Sequence, residues 1–288
     1  MRRRKFAPRA DVYRTITDRV VAALAEGTVP WRRPWLSQRP ASVASGHAYR
    51  GINWLVLSMV ADDRGYGSTT WGTYRAWQER GAQVRGGETG SPIVVWSPWT
   101  PKPTQDDPEP ASRLYRKGYS VFNAAQVDGW VEPEAVEAEV IESAEAVAER
   151  YLASGVSLAE GGDRAYYAPR LDAIQMPPRA AFPATSWYPT LYHEMAHSTG
   201  HSSRLDRGLD GDQAHGREDY AREELIAEIA SAMLCATTGV EPEIEQSAAY
   251  IKGWMRALAD DASLLPSAAQ AAQKAADWVI DPPTEKGE

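Results

Sequence analysis

The segment from His193 to His197 reads His-Glu-Met-Ala-His, so two histidines stand four residues apart. The surrounding stretch, SWYPTLYHEMAHSTG, predicts a helix that Ser186 could cap and that Gly200 could end. On a helix this spacing puts both imidazoles on one face, where they can bind the same metal ion, and Glu194 beside them can act as a general base. A catalytic zinc site uses three protein ligands, so the fold must bring another segment to this helix.

The third ligand has several candidates. His201 follows His193 by eight residues, which on one continuous helix is a rise of about 12 Å. Ligand bonds of about 2 Å cannot span that distance unless the helix breaks at Gly200. A later predicted helix contains EELIAE, whose Glu224 opens a Glu-x-x-Ala-Glu sequence of the kind found in zinc hydrolases with two histidines and a glutamate. We predict Glu224 as the ligand and Glu228 as the acceptor for a histidine N–H, with the reverse assignment and His201 as alternatives.

Charge and tryptophan content divide the chain into two unlike halves. Residues 1–118 contain 19 Lys and Arg against 10 Asp and Glu, a balance of +9, while residues 119–288 contain 12 against 29, a balance of −17. Eight of the 11 tryptophans precede residue 131. Such asymmetry indicates two domains with different partners, which we place at 1–128 and 129–288.

The basic half has the composition of a surface for single-stranded nucleic acid. Such surfaces combine cations that follow the phosphate backbone with aromatic side chains that stack on bases. Nothing in the pattern encodes base-specific contacts, so binding without sequence preference is expected. For each tryptophan a place in the core is the competing interpretation. The candidate DNA contacts are Trp31, Arg32, Arg33, Trp35, Arg50, Trp71, Tyr74 and Arg75.

Periodicity predicts the remaining elements. Helices are expected at about 12–24, 53–62, 133–154, 217–238, 244–259 and 263–279, with a short one in TTWGTYRAWQERG. The strand SPIVVWSPW is expected to pair with YRKGYSVFNAAQV, and AYYAPRLDAIQMPP predicts strand, turn and strand. No apolar run approaches the about 20 residues of a membrane span, and the single cysteine, Cys235, is predicted to be a buried thiol. We therefore expect a soluble cytoplasmic protein without disulfides and without a membrane partner.

Several blocks of the sequence, in order, resemble the ArdC-type plasmid antirestriction proteins. In the first half they are VPWRRPW, YRGINWLVLS, GYGSTTWGTYRAWQERGAQVRGGE and VFNAAQVDG; in the second half they are GGDRAYYAPRLDAIQMPP, YHEMAHSTGHSSRLDR and YAREELIAEIASAMLC. The resemblance implies zinc ligands at His193, His197 and Glu224, a catalytic base at Glu194, and protection of incoming plasmid DNA during conjugation. The tract TPKPTQDDPEPASRLYRKG and the start MRRRK depart from the family pattern.

The sequence and the resemblance together predict an α+β chain with a mixed α/β module that binds single-stranded DNA. A mainly helical zincin-like metallopeptidase domain with a small antiparallel sheet follows it. At the Zn²⁺ site we expect hydrolysis of a peptide bond in an unidentified protein, with an extended substrate paired to an edge strand near Asp172 to Met176. Tyr192 or Tyr220 is expected to support the oxyanion. The alternatives are a DNA-binding protein with a structural or inactive zinc site, and a metal-dependent nuclease, which an acidic, His-rich site disfavours.

Overall fold

The computed structural model describes residues 9–32, 39–100, 111–132, 143–182, 186–209, 217–241 and 248–283. Its helices are α1 (Arg9–Ala25), α2 (Ile52–Asp63), α3 (Tyr74–Gln78), α4 (Ala144–Leu152), α5 (Trp187–Ser198), α6 (Arg217–Thr238), α7 (Ala248–Asp260) and α8 (Leu264–Ile280). Its strands are β1 (Ala41–Ser42), β2 (Thr70–Thr73), β3 (Gln83–Val84), β4 (Ser91–Trp99), β5 (Arg113–Asn123), β6 (Val127–Asp128), β7 (Ser157–Glu160), β8 (Tyr166–Ala168) and β9 (Ala173–Met176).

A four-stranded sheet in the order β1-β2-β5-β4 organises the first half of the chain. β4 and β5 form a long antiparallel hairpin, which confirms the pairing predicted from the sequence. Helix α2 packs on this hairpin, and the side-chain amide of Asn53 fixes it there. Its Nδ2 donates to the carbonyl of Val94 at 2.7 Å, and its Oδ1 accepts from the N–H of Val94 at 2.8 Å. These two bonds satisfy backbone groups on the outer edge of β4, next to where the hairpin leaves the core.

The second half contains a three-stranded sheet in the order β7-β9-β8. The antiparallel pairing of β8 with β9 confirms the predicted strand–turn–strand segment. β7 was not predicted, because its sequence lacks an alternation of apolar and polar residues. It pairs in parallel with β9, on the side of β9 opposite to β8. β9 is therefore the central strand, so the expectation of an edge strand near Asp172 to Met176 is wrong. In the described structure β8 is an edge of this sheet instead.

Helix α6 is the centre of the helical layer. Every residue from Glu224 to Ala236 is buried, because α5, α7 and α8 pack around the helix. A row of buried alanines on α8 lets its backbone approach α6 closely, and it comprises Ala268, Ala272, Ala275 and Ala276. The hydroxyl of Ser231 donates to the carbonyl of Pro189 at 2.8 Å, which ties α6 to the first turn of α5. α6 ends where predicted, before Gly239, whose φ of 69° suits a glycine.

One hydrophobic core extends through both halves of the chain. Helix α1 packs against α7, and the Thr17 hydroxyl donates to the carbonyl of Ala262 at 3.1 Å. The indoles of Trp31 and Trp254 meet edge to face, with ring centroids 5.5 Å apart. A smaller core lies around Trp77. The first helix thus folds against the second half, while the division at residues 128 and 129 stays a prediction.

Two further expectations concern Cys235 and the membrane. Cys235 is buried on α6, and burial raises the pKa of its thiol to about 12, as expected of a structural thiol. Among the helices in the described part of the chain, none combines the length and apolar content that a membrane span requires.

Candidate metal centre

The candidate centre lies where α5 packs against α6. One side of α5, with Leu191, Tyr192, Met195 and Ala196, is buried in the core, while the His193 and His197 side turns toward α6. The neighbouring turn of α6 presents its carboxylates to the two imidazoles. The packing of α5 on α6 therefore brings together groups that are more than twenty residues apart in the sequence.

Three side chains converge with the geometry of a metal site. The Nε2 atoms of His193 and His197 lie 3.0 Å apart. Glu224 places Oε2 3.7 Å from the first of these nitrogens and Oε1 3.4 Å from the second. Tetrahedral zinc with ligand bonds of about 2 Å separates its donor atoms by about 3.3 Å, close to all three distances. Of the described residues, these three form the group whose ligand atoms all lie within 4.8 Å of one another.

The outer nitrogens of both rings face acidic partners. Nδ1 of His197 lies 3.2 Å from Oε1 of Glu223. Nδ1 of His193 is buried and lies 3.5 Å from Oε1 of Glu228, near enough for an ion pair but without a hydrogen bond to the described residues. These contacts leave the two Nε2 atoms turned toward each other and toward Glu224, as metal-binding histidines require. The role predicted for Glu228 fits this geometry, whereas Glu223 was not assigned one.

Glu223 is itself held by Arg207, which follows the end of α5. The Nε and Nη2 atoms of Arg207 donate to its two oxygens at 2.9 and 2.7 Å. The same guanidinium donates to the Thr199 hydroxyl at 2.9 Å and to the Ala196 carbonyl at 2.8 Å. Arg207 therefore fixes Glu223 relative to the helix that carries His197. In the sequence, the only signal for this contact is that Glu223 directly precedes Glu224 in EELIAE.

The electrostatics of the centre favour a bound cation. Burial alone would lower the pKa of both histidines, yet the contact with Glu224 raises the pKa of His193, and Glu223 and Glu224 raise that of His197 to about 10. Burial would raise the pKa of Glu224, but the two histidines hold this pKa well below its usual value. The site stabilises positive charge between these side chains, and a divalent ion supplies that charge.

Glu194 lies beside the ligands, 7% exposed, and lines a cleft of about 980 Å³. The edge strand β8 forms part of the cleft wall through Tyr166 and Tyr167. Of the two tyrosines expected to support an oxyanion, Tyr192 is fully buried and donates to the carbonyl of Ala144 at 3.3 Å, so it does not fit that role. Tyr220 is half exposed on α6 and lines the same cleft. The arrangement places a carboxylate next to the metal-binding group in a space large enough for a substrate segment.

His201 lies outside the group of ligand atoms. α5 ends at Ser198 and the chain then turns, so that Nδ1 of His201 contacts the hydroxyl of Ser203 at 2.8 Å. Ser186 precedes α5 as predicted, although its side chain makes no capping hydrogen bond. The break at Gly200 thus occurs, but it does not bring His201 to the other two histidines.

The predicted DNA contacts fall into different environments. Trp31 and Trp71 are both 0% exposed, because one packs on Trp254 and the other on Tyr66, so neither has a face on which a base could stack. Arg50, Tyr74 and Arg75 are exposed, but each already has a partner. Arg50 pairs with Asp277, Arg75 donates to Glu79 at 2.7 Å, and the Tyr74 hydroxyl accepts from the Gln83 amide at 2.7 Å. Arg32 ends a 3-10 turn, and Arg33 and Trp35 lie outside the described residues.

Replacing Glu223 with glutamine should weaken zinc binding by about 10- to 100-fold, because outer partners of this kind orient the ligand and raise its basicity. The affinity is measured by competition with a chromogenic chelator. Asp219→Asn is the matched control, since Asp219 is an exposed carboxylate on the same helix, one turn earlier, and lines the same cleft. An equal loss in both variants would mean that net charge, and not the contact with His197, sets the affinity.

Comparisons with known proteins match the whole architecture. Residues 10–122 match the N-terminal domain of anti-restriction factor ArdC, and residues 143–271 match a zincin-like metallopeptidase domain. The uncharacterized protein y4eC of Sinorhizobium fredii is 42% identical over 286 residues, which cover 93% of this chain and 91% of that protein. DNA primase TraC of Escherichia coli is 38% identical over 291 residues, which cover 92% of this chain but 26% of TraC. The chain thus corresponds to about a quarter of that relative.

Two crystal structures of the antirestriction ArdC protein from plasmid R388 superpose on the chain. The metal-free form gives a TM-score of 0.80 at 44% identity, and the Mn(II)-bound form gives 0.77 at 43%. Both alignments cover 93% of this chain and 96% of the other. The zincin-like match and the cluster of His193, His197 and Glu224 identify a divalent-metal site that zinc fits. With its ArdC N-terminal domain followed by a zincin-like metallopeptidase domain, this chain belongs to the ArdC antirestriction family.

Proposed function

We propose that this protein protects incoming plasmid or mobile DNA from host restriction by binding single-stranded DNA without sequence preference and by cleaving a protein substrate at its zinc site. The observation that carries the peptidase part is the position of Glu194, which follows His193 directly, is 7% exposed and lines the same cleft as His193 and His197. A site that only stabilised the fold would need the ligands but not a base beside them. The DNA-binding part rests on the basic first half and on its similarity to the ArdC N-terminal domain.

The chemistry follows from which groups face the cleft. Zinc held by His193, His197 and Glu224 would supply Lewis acidity toward water and a substrate carbonyl. The Glu194 carboxylate is placed to take the proton from the attacking water and to return it to the leaving amine. The contact with Glu223 orients the imidazole of His197 with Nε2 inward, and Glu228 offers an acidic partner to the outer nitrogen of His193. Tyr220 is the tyrosine from which an oxyanion could accept a hydrogen bond.

The edge strand β8 is the place where an extended peptide would bind. It lines the cleft through Tyr166 and Tyr167, and on its outer side no strand of the described structure pairs with it. A peptide that added to this edge would gain main-chain hydrogen bonds and pass in front of Glu194. This assignment replaces β9, whose two sides are already paired.

The decisive variant is Glu194→Gln, which keeps the size of the side chain and removes the base. A general base contributes about 10²- to 10⁴-fold to a rate, so protection of a plasmid entering a restricting host should fall to the level seen without the protein. Zinc content, measured on the purified variant, should remain that of wild type. Glu149→Gln, on the exposed side of α4, is the control and should protect like wild type.

Full protection by a zinc-loaded Glu194→Gln protein would refute peptide hydrolysis as the route to protection. It would favour the alternative, a single-stranded-DNA-binding protein whose zinc site is structural or inactive. Loss of zinc together with protection would instead show that Glu194 holds the site together, and the same measurement of metal content distinguishes that result.

A further inference from the structure

The β4–β5 hairpin carries a row of alternating cationic and aromatic side chains on one face. Directly opposed residues of an antiparallel pair point to the same face, and the register opposes Trp99 to Arg113. Along β5, Tyr115 and Lys117 follow Arg113 at intervals of two residues and therefore share that face. We call these four residues the hairpin row and propose that it is the surface that binds single-stranded DNA, an inference that rests on the DNA-binding function proposed above.

The hairpin row lies where the hairpin projects beyond the core. At the base of the same face, Ile93 is buried and Tyr119 packs partly against the core. Beyond these two residues the face opens to solvent, so that the side chain of Trp99 is 54% exposed and that of Tyr115 is 41% exposed. Large exposed rings grouped in this way mark an interaction surface. They also contrast with Trp31 and Trp71, two predicted DNA contacts that are buried.

The cations of the row are available for a phosphate. Among the residues that the structure describes, neither Arg113 nor Lys117 is paired with a carboxylate, and both are exposed. The ammonium of Lys117 lies 4.8 Å from the ring centroid of Tyr119, a contact that positions it and leaves its charge in place. By comparison, Arg50 and Arg75 are neutralised locally by Asp277 and Glu79. A phosphate would have to displace those carboxylates, whereas at the hairpin no carboxylate of the described residues competes with it.

The chemistry of the row matches a single strand of DNA. Side chains two positions apart on a β-strand repeat at about 6.8 Å, so Arg113, Tyr115 and Lys117 present cation, ring and cation in turn, with the ring of Trp99 opposite Arg113. An extended single strand likewise presents phosphates and unstacked bases in alternation, and every base has a face that can stack on a ring. A duplex hides those faces in its own stack.

Two double variants of the full-length protein separate the contributions of charge and stacking. Binding is measured by fluorescence anisotropy with a labelled oligothymidylate at several salt concentrations. Arg113→Gln with Lys117→Gln should reduce the slope of log K against log salt by about 1.4, since each phosphate contact contributes about 0.7 on single strands. Trp99→Ala with Tyr115→Ala should weaken binding by about 5- to 100-fold for each ring and leave the slope unchanged.

The control is Arg14→Gln with Arg19→Gln, which removes the same charge from the exposed face of α1. It should leave the salt slope as in wild type. If wild type does not bind the oligonucleotide at all, the proposed DNA-binding function fails. If wild type binds and both hairpin variants bind equally well with the same slope, only the hairpin assignment is overturned.

Two other outcomes would also overturn the assignment. One is a larger loss in Arg50→Gln with Arg75→Gln than in the hairpin variants, which would return DNA binding to the surface predicted from the sequence. The other is a hairpin variant that changes the oligomeric state in sedimentation while keeping its DNA affinity, which would make the row a contact between copies. Thermal unfolding and zinc content, unchanged in each variant, establish that the fold is intact.

Discussion

Glu224→Gln should leave the purified protein almost free of zinc, whereas Glu228→Gln should still bind it. Glu224 presents both of its oxygens to the histidine Nε2 atoms, at 3.7 and 3.4 Å, so glutamine in its place removes the negative charge and leaves only a neutral amide oxygen, a far weaker ligand for zinc. Glu228 faces only the outer nitrogen of His193, at 3.5 Å. A glutamine there still offers an oxygen to that nitrogen, so the affinity should fall by at most the about 10- to 100-fold typical of outer partners. The loss of zinc affinity in Glu224→Gln should be larger than this range.

Zinc affinity for both variants is measured by chelator competition, and metal content by elemental analysis after dialysis. Glu228→Leu adds a graded test, because it removes the acceptor altogether in a position that is 3% exposed. We expect the order wild type, Glu228→Gln, Glu228→Leu and then Glu224→Gln in decreasing affinity. The reverse order for the two glutamines would establish Glu228 as the ligand, the alternative that the sequence leaves open.

The metal centre was largely predictable because its main constraint is local. Two histidines one turn apart share a helix face whatever surrounds them, and this fixes His193 and His197 before any packing is known. The prediction of Glu224 also required a second helix that turns this side chain toward the histidines. The Glu-x-x-Ala-Glu sequence within EELIAE indicated such a helix. The contact of Glu223 with His197 could not be predicted, since it depends on how α5 crosses α6 and on Arg207 from the loop that follows α5.

The proposed DNA-binding surface was harder to predict because residue type does not determine exposure. Trp71 and Trp99 stand in similar aromatic, basic surroundings in the sequence, yet one is in the core and the other on a projecting hairpin. The difference comes from the length of β4 and β5, which continue past the point where the core ends. The edge-strand prediction failed for a comparable reason, since the short strand β7 covers the side of β9 that appeared open from the sequence.

Trp254→Ala should destabilise both halves of the protein together. The side chain is 1% exposed and packs edge to face on Trp31, in a core that runs through both halves. Truncating a buried aromatic side chain costs about 3–5 kcal/mol, because the cavity left behind collapses only in part. The free energy of unfolding is obtained from urea denaturation, followed by far-ultraviolet circular dichroism and by zinc release in parallel. Because one core joins the halves, both signals should shift to lower urea by the same amount.

A double-mutant cycle with Trp31→Ala tests the pairing itself, and a coupling of about 0.5–1.5 kcal/mol is expected for an edge-to-face pair. Trp99→Ala is the matched control, since an exposed tryptophan on the hairpin should change stability by less than about 0.5 kcal/mol. Two separate transitions, with only zinc release affected by Trp254→Ala, would contradict a shared core. In that case the halves would unfold as independent domains, with a boundary near the predicted Gly129. A single shifted transition would mean that α1 and Trp31 belong energetically to the half that contains the metal centre, although the sequence predicts them in the other half.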